Sequence, residues 1–166
     1  AAFLSAIIHA LRLRRYHIHR ILNAPMVWIL HVGYSWVILG LFLLCLFALG
    51  FVPFSIGLHA FTAGTIGSMT LGMMCRVTLG HTGRSKITTN LTKLSFYLLQ
   101  CAIFIRVFGL LIAPDYSIEW IISSSTLWVL SSALYIWIYF QCYGSLNFMN
   151  RSLSWTGETS VTKVPL

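Results

Sequence analysis

The run from Met26 to Gly50 contains no Lys, Arg, Asp or Glu, and that feature restricts the chain more than any other. An apolar run of roughly 18 residues or more is long enough to cross the hydrocarbon core of a bilayer as one helix. A helix is the economical way across, because it satisfies its own backbone polar groups where no water can. Three further apolar runs follow, at about 55–79, 94–113 and 120–143. Pro25 falls at a first helical position, Pro53 in the turn after the first run and Pro114 at the close of the third. The sequence therefore predicts an all-α, polytopic transmembrane bundle with four spanning helices (about 26–50, 55–79, 94–113 and 120–143). That bundle occupies 1–150 and belongs to a larger one. The polar segment 151–166 reads as a flexible cytoplasmic tail.

Composition agrees. Only 8% of the residues are charged and 58% are hydrophobic, whereas a soluble domain carries about 25% charged residues to cover its surface. The net charge of +8 would point to nucleic acid in a soluble protein; here it reads as topology, with no nucleic acid. Arg12, Arg14, Arg15 and Arg20 precede the first run, Arg84, Lys86 and Lys93 follow the second, and Arg151 and Lys163 follow the fourth. The turns after the first and third runs hold no Lys or Arg. This alternation is the positive-inside pattern and predicts both ends in the cytoplasm. Trp28, Trp120 and Tyr143 lie near the expected interfaces. Residues Ala1–Ala10 are apolar but too short to span, and they read as the tail of a truncated helix from a longer parent. Cys45, Cys75, Cys101 and Cys142 show no CxxC spacing and read as small buried apolar residues, Cys75 being the one kept as a candidate soft ligand.

The second run is crowded with small and polar residues. Ala60, Gly64, Ser68 and Gly72 recur every four positions, a spacing that lets membrane helices approach closely. A second stripe holds His59, Ile66, Thr70, Met73 and Val77, flanked by Met69 and Arg76. Ionisable groups at membrane depth usually face the bundle interior and mark a site, so this stripe is expected to point inward. His31, within WILHVGYSW, and His81, just past the second run, are expected at similar depth near the cytoplasmic side, with His59 toward the opposite face. The three cannot then share one metal. His9, His17 and His19 in the basic segment read as solvated surface. No catalytic set is visible: Asp115, Glu119 and Glu158 are the only acids, and all lie outside the spans.

At GTIGSMTLGMMCRVTLGHTGR, Gly64–Arg84, together with His59-Ala60 and the WxLHxGYxW pattern around His31, the chain closely resembles the NnrS family of bacterial membrane proteins. The resemblance implies haem and copper as cofactors and a role in nitric oxide and nitrosative stress at the bacterial inner (cytoplasmic) membrane. It implies partners in the lipid bilayer, in an N-terminal transmembrane half that is missing here, and in nitric oxide itself. Carried over by position, the motif residues are His31, His59, Met73, Arg76, His81, Gly83 and Arg84. His31, His59 and His81 are the candidate haem or metal ligands, Met73 a thioether suited to copper(I), and Arg76 and Arg84 partners for haem propionates. Ser85-Lys86 departs from the family pattern, and family members are longer with more spans. Two other readings stay open: a membrane haem oxidoreductase passing electrons, and a small-molecule transporter using the second run as its path.

Overall fold

The protein is described here from a computed structural model, covering the backbone of residues 2–15, 24–81 and 89–156 and the side chains of 2–15, 24–80 and 89–140. Every regular element in it is helical. Helix α1 is Ala2–Arg14 and α2 is Pro25–Ala48. Helix α3 covers 54–81 in three consecutive pieces: an α-helical Phe54–His59, a π-helical Ala60–Gly67 and an α-helical Ser68–His81. Helix α4 is Asn90–Ile112, π-helical over Ile105–Gly109, and α5 is Ser117–Thr156.

Local chemistry sets the boundaries. Pro25 opens α2, where its missing N–H costs nothing. Gly50 closes it with φ +81°, the left-handed conformation that favours glycine. The Gly50 N–H then reaches the Phe47 carbonyl at 2.9 Å and the Phe51 N–H reaches the Leu46 carbonyl at 3.0 Å. Pro53 caps the start of α3. Thr89 accepts from the Thr92 N–H at 3.2 Å, so α4 starts at Asn90, a turn ahead of the apolar run. The last helix continues to Thr156, past the expected end of its span, and 157–166 lie outside the described residues.

Among the described residues, three helices rather than four are long and apolar enough to cross a membrane: Pro25–Ala48, Asn90–Ile112 and Pro114–Phe140. The fourth expected span is continuous helix over 54–81 but does not join them. Its five glycines between Gly57 and Gly80, its threonines, His59 and Arg76 dilute its apolar character. It is held by packing against neighbours and not by its own hydrophobicity.

The antiparallel pair α2–α3 is the tightest contact. A β-carbon on Gly64 would lie 2.6 Å from the Trp36 ring, one on Gly40 2.8 Å from the Phe61 ring, and one on Gly72 2.7 Å from Ile29. Gly33 meets Ser68 and Met69, and Gly57 meets Leu44. The stripe Ala60, Gly64, Ser68, Gly72 is accordingly buried and is the surface α3 presents to α2, as its spacing predicts. Helix α4 is the most enclosed of the apolar helices, with 44% of its span buried against 11% for α5. The two are joined by a reciprocal pair: Ser95 Oγ donates to the Ser131 carbonyl at 2.9 Å, and Ser131 Oγ donates to the Ser95 carbonyl at 2.8 Å. In an apolar medium such bonds and close packing hold helices together, since lipid tails are as apolar as leucine.

Candidate functional site

Two polar centres lie inside the bundle. The deeper one is a buried network in which Trp36 Nε1 donates to Gln100 Oε1 at 3.0 Å and Gln100 Nε2 donates to Ser68 Oγ at 2.8 Å. It ties α2, α3 and α4 at one level and satisfies the amide of Gln100, which would otherwise be costly in hydrocarbon.

The second centre is a cavity of about 530 Å³ between α3, α4 and α5, lined by His59, Thr62, Ala63, Ala102, Ile103, Arg106, Ser124, Ser125, Trp128 and Val129. Both π-helical segments border it: Thr62 and Ala63 belong to the first and Arg106 to the second. Such segments widen the helical turn and recur at functional sites. Trp128 closes the inner side against Gly67, where a β-carbon would come within 2.5 Å of its ring. Arg106 Nη1 donates to Ser124 Oγ at 3.2 Å and, at 3.4 Å each, to Ser125 Oγ and the Ile121 carbonyl. All three acceptors are neutral. His59 is half-buried on the facing wall, and neither of its ring nitrogens has a hydrogen bond among the described residues. A cavity of several hundred Å³ with an apolar wall and a few converging polar groups is the usual form of a small-molecule or cofactor site.

The sequence-derived candidates do not gather there. The α2–α3 register, with Gly33 beside Ser68 and Met69 and Leu30 beside Gly72, sets His31 level with about Thr70. It thus sits roughly 15 Å along the bundle from His59, at 1.5 Å per residue, and about as far from the backbone of His81. The expectation that His31 and His81 share a depth is corrected: α3 runs on past the start of α2, carrying His81 beyond the level of His31. His31 Nδ1 bonds the Val27 carbonyl at 2.9 Å. A carbonyl only accepts, so Nδ1 carries a proton and donates it.

The stripe Ile66, Thr70, Met73, Val77 is also corrected. These four side chains are exposed on the bundle surface. The packed side of α3 is instead the small-residue stripe, because only there can the α2 backbone come close. Arg76 is half-buried near the far end of α3, remote from His59. Met73 borders a shallow groove with Met69, Met74 and Tyr135. Cys75 is fully buried beside Ile29, Leu79 and Phe96, a packing residue. His9, expected in solvent, bonds the Tyr34 hydroxyl through Nδ1 at 2.6 Å, ring edge to ring face, because α1 folds back on α2. Arg84, Gly83, His17, His19 and the side chain of His81 lie outside the described residues.

Among the described residues no group of three His, Cys, Asp or Glu is placed to hold a metal ion. At the outer cavity the described residues offer one imidazole, His59, one guanidinium, Arg106, and room for a sizeable ligand.

A helical bundle with three apolar helices of spanning length and polar groups turned inward is a multi-pass membrane protein. The family model described as NnrS protein matches residues 1–145, and the chain belongs to that family. No curated protein and no solved structure matches it.

Proposed function

We propose that the chain is part of a haem- and copper-binding protein of the bacterial inner membrane, with both ends in the cytoplasm, acting in the response to nitric oxide and nitrosative stress. Membership of the NnrS family supports the reading. The observation that carries it is the outer cavity, in which the imidazole of His59, without a hydrogen bond among the described residues, and the guanidinium of Arg106 share a space of about 530 Å³. His59 would hold the iron of a haem, and His31 would hold a metal at a separate level. Bound haem supplies reversible iron redox chemistry and an affinity for small diatomic gases. The chain's own part is to offer single imidazoles at fixed depths and to exclude water with Trp128 and Ile103. Met73 and Met74, exposed together on α3, present the soft sulfur that copper(I) favours. The remaining ligands would come from further transmembrane segments of the same protein.

The test is a reduced-minus-oxidised visible spectrum with haem and copper assays on the detergent-purified protein, beside His59→Ala, His31→Ala and His81→Ala. Loss of the haem bands in His59→Ala, with copper retained, is the expected result. A folded wild type without haem or copper overturns the reading.

A further inference from the structure

Arg106 stands in an apolar helix, and no opposite charge bonds it among the described residues. Its described partners are one carbonyl and two serine hydroxyls, all reached from a single nitrogen at 3.2–3.4 Å, the long end of the hydrogen-bond range. Nη2 and Nε have no hydrogen bond among the described residues. The nearest acids in sequence are exposed, Asp115 in the turn between α4 and α5 and Glu119 in the first turn of α5, and neither bonds it. A guanidinium at this depth ordinarily finds a counter-charge. Its fork suits a group with two oxygens, a carboxylate or a phosphate.

The cavity says what the rest of that group is like. Its space far exceeds a small inorganic ion, and Ala102, Ile103, Trp128 and Val129 give it an apolar wall. Its rim reaches the bundle surface at Thr62, Ser125 and Val129, all exposed. It is also shallow. Arg106 lies six residues before the end of α4 at Ile112, about 9 Å of helix, close to where headgroups meet acyl chains. His59 lies at the same end, five residues into α3.

From these observations we infer that the outer cavity binds an amphipathic anion, its oxyanion head on Arg106 and its apolar body along Ile103 and Trp128. An anionic phospholipid and an organic carboxylate with an apolar body share this chemistry. The inference concerns the cavity of the proposed function, where a haem would compete with such an anion for the same space. The measurement is therefore made on protein freed of haem, so that the unfolding response and the haem spectrum fail separately.

The experiment measures thermal unfolding of the purified protein in a neutral detergent with added laurate or phosphatidylglycerol, against dodecanol and phosphatidylcholine as uncharged or zwitterionic counterparts. Ligand binding to the native state raises the midpoint by an amount that grows with the logarithm of ligand concentration over the dissociation constant. The expected result is a concentration-dependent rise with an anionic probe alone, with apparent affinity about tenfold weaker in Arg106→Gln and intermediate in Arg106→Lys. A response to phosphatidylglycerol alone assigns the site to a lipid headgroup, and one to laurate assigns it to a free carboxylate. If Arg106→Gln does not fold, Thr62→Trp, at an exposed rim position, fills the cavity with Arg106 intact and is expected to remove the same rise. Equal rises with charged and uncharged probes, no rise with either anion, or a rise untouched by Arg106→Gln and Thr62→Trp, would overturn the inference.

Discussion

The two long faces of α3 belong to one helix, and the fold treats them oppositely. The face with Ala60, Gly64, Ser68 and Gly72 is sealed against α2, where Trp36 and Ile29 fill the space that absent side chains leave. The face with Ile66, Thr70, Met73 and Val77 is exposed, although it carries the more chemically distinctive side chains. Packing in a bilayer is decided by how closely backbones can approach and not by polarity alone. Small residues in register therefore win the interface, and the larger ones are left outside. His59, at the start of α3, belongs to neither face; it turns toward α4 and α5.

The comparison is broken most directly at its tightest point. Gly64→Val would press a branched side chain into the Trp36 indole, 2.6 Å from where its β-carbon must sit. The ring cannot yield without giving up its bond to Gln100. A loss of about 3 kcal/mol or outright failure to fold is expected, seen as a lowered midpoint of thermal unfolding in detergent; a normal midpoint would mean the α2–α3 contact is looser than described. Gln100→Ala acts one step away. It orphans the Trp36 N–H and the Ser68 hydroxyl, at an expected cost of about 1 to 2 kcal/mol by the same measurement. A neutral result would assign the network to orientation and not to stability. Met73→Ala, on the open face, is expected to stay within about 0.5 kcal/mol of the parent. A larger effect would show that this face is covered in the assembled protein, and would make it an interface.

Much of the architecture was legible in the residues. The charge-free run after Pro25 reads as one helix, and α2 is one. Pro53 reads as part of a turn after the first run, and the turn is there, with Gly50 closing α2 just before it. The four-residue spacing from Ala60 to Gly72 reads as a packing stripe, and it is buried throughout. The site was less legible. Gln100 and Arg106 are each a lone polar group inside an apolar run, and that alone is the signal the sequence carries for them. No pattern within α4 says that Arg106 meets Ser124 and Ser125, because that contact joins two helices whose rotation about their axes is set by the Ser95–Ser131 pair and by Trp120 packing on Gly109. His31 and His81 were placed at one depth by counting from the ends of apolar runs. The helices obey Gly33 and Gly72 instead, which fix the register by contact.

By itself, then, the sequence determined that this chain lives in a membrane as packed helices, because an apolar run of spanning length has no other stable form there. It also determined which stripe of α3 could be approached closely, because glycine and alanine leave room whatever lies opposite. Only the tertiary structure decided which polar groups meet. His59 and Arg106 are 47 positions apart in the chain, on helices that touch through neither one's motif, and their shared cavity arises where two π-helical turns and the Trp128 ring keep α3, α4 and α5 from closing.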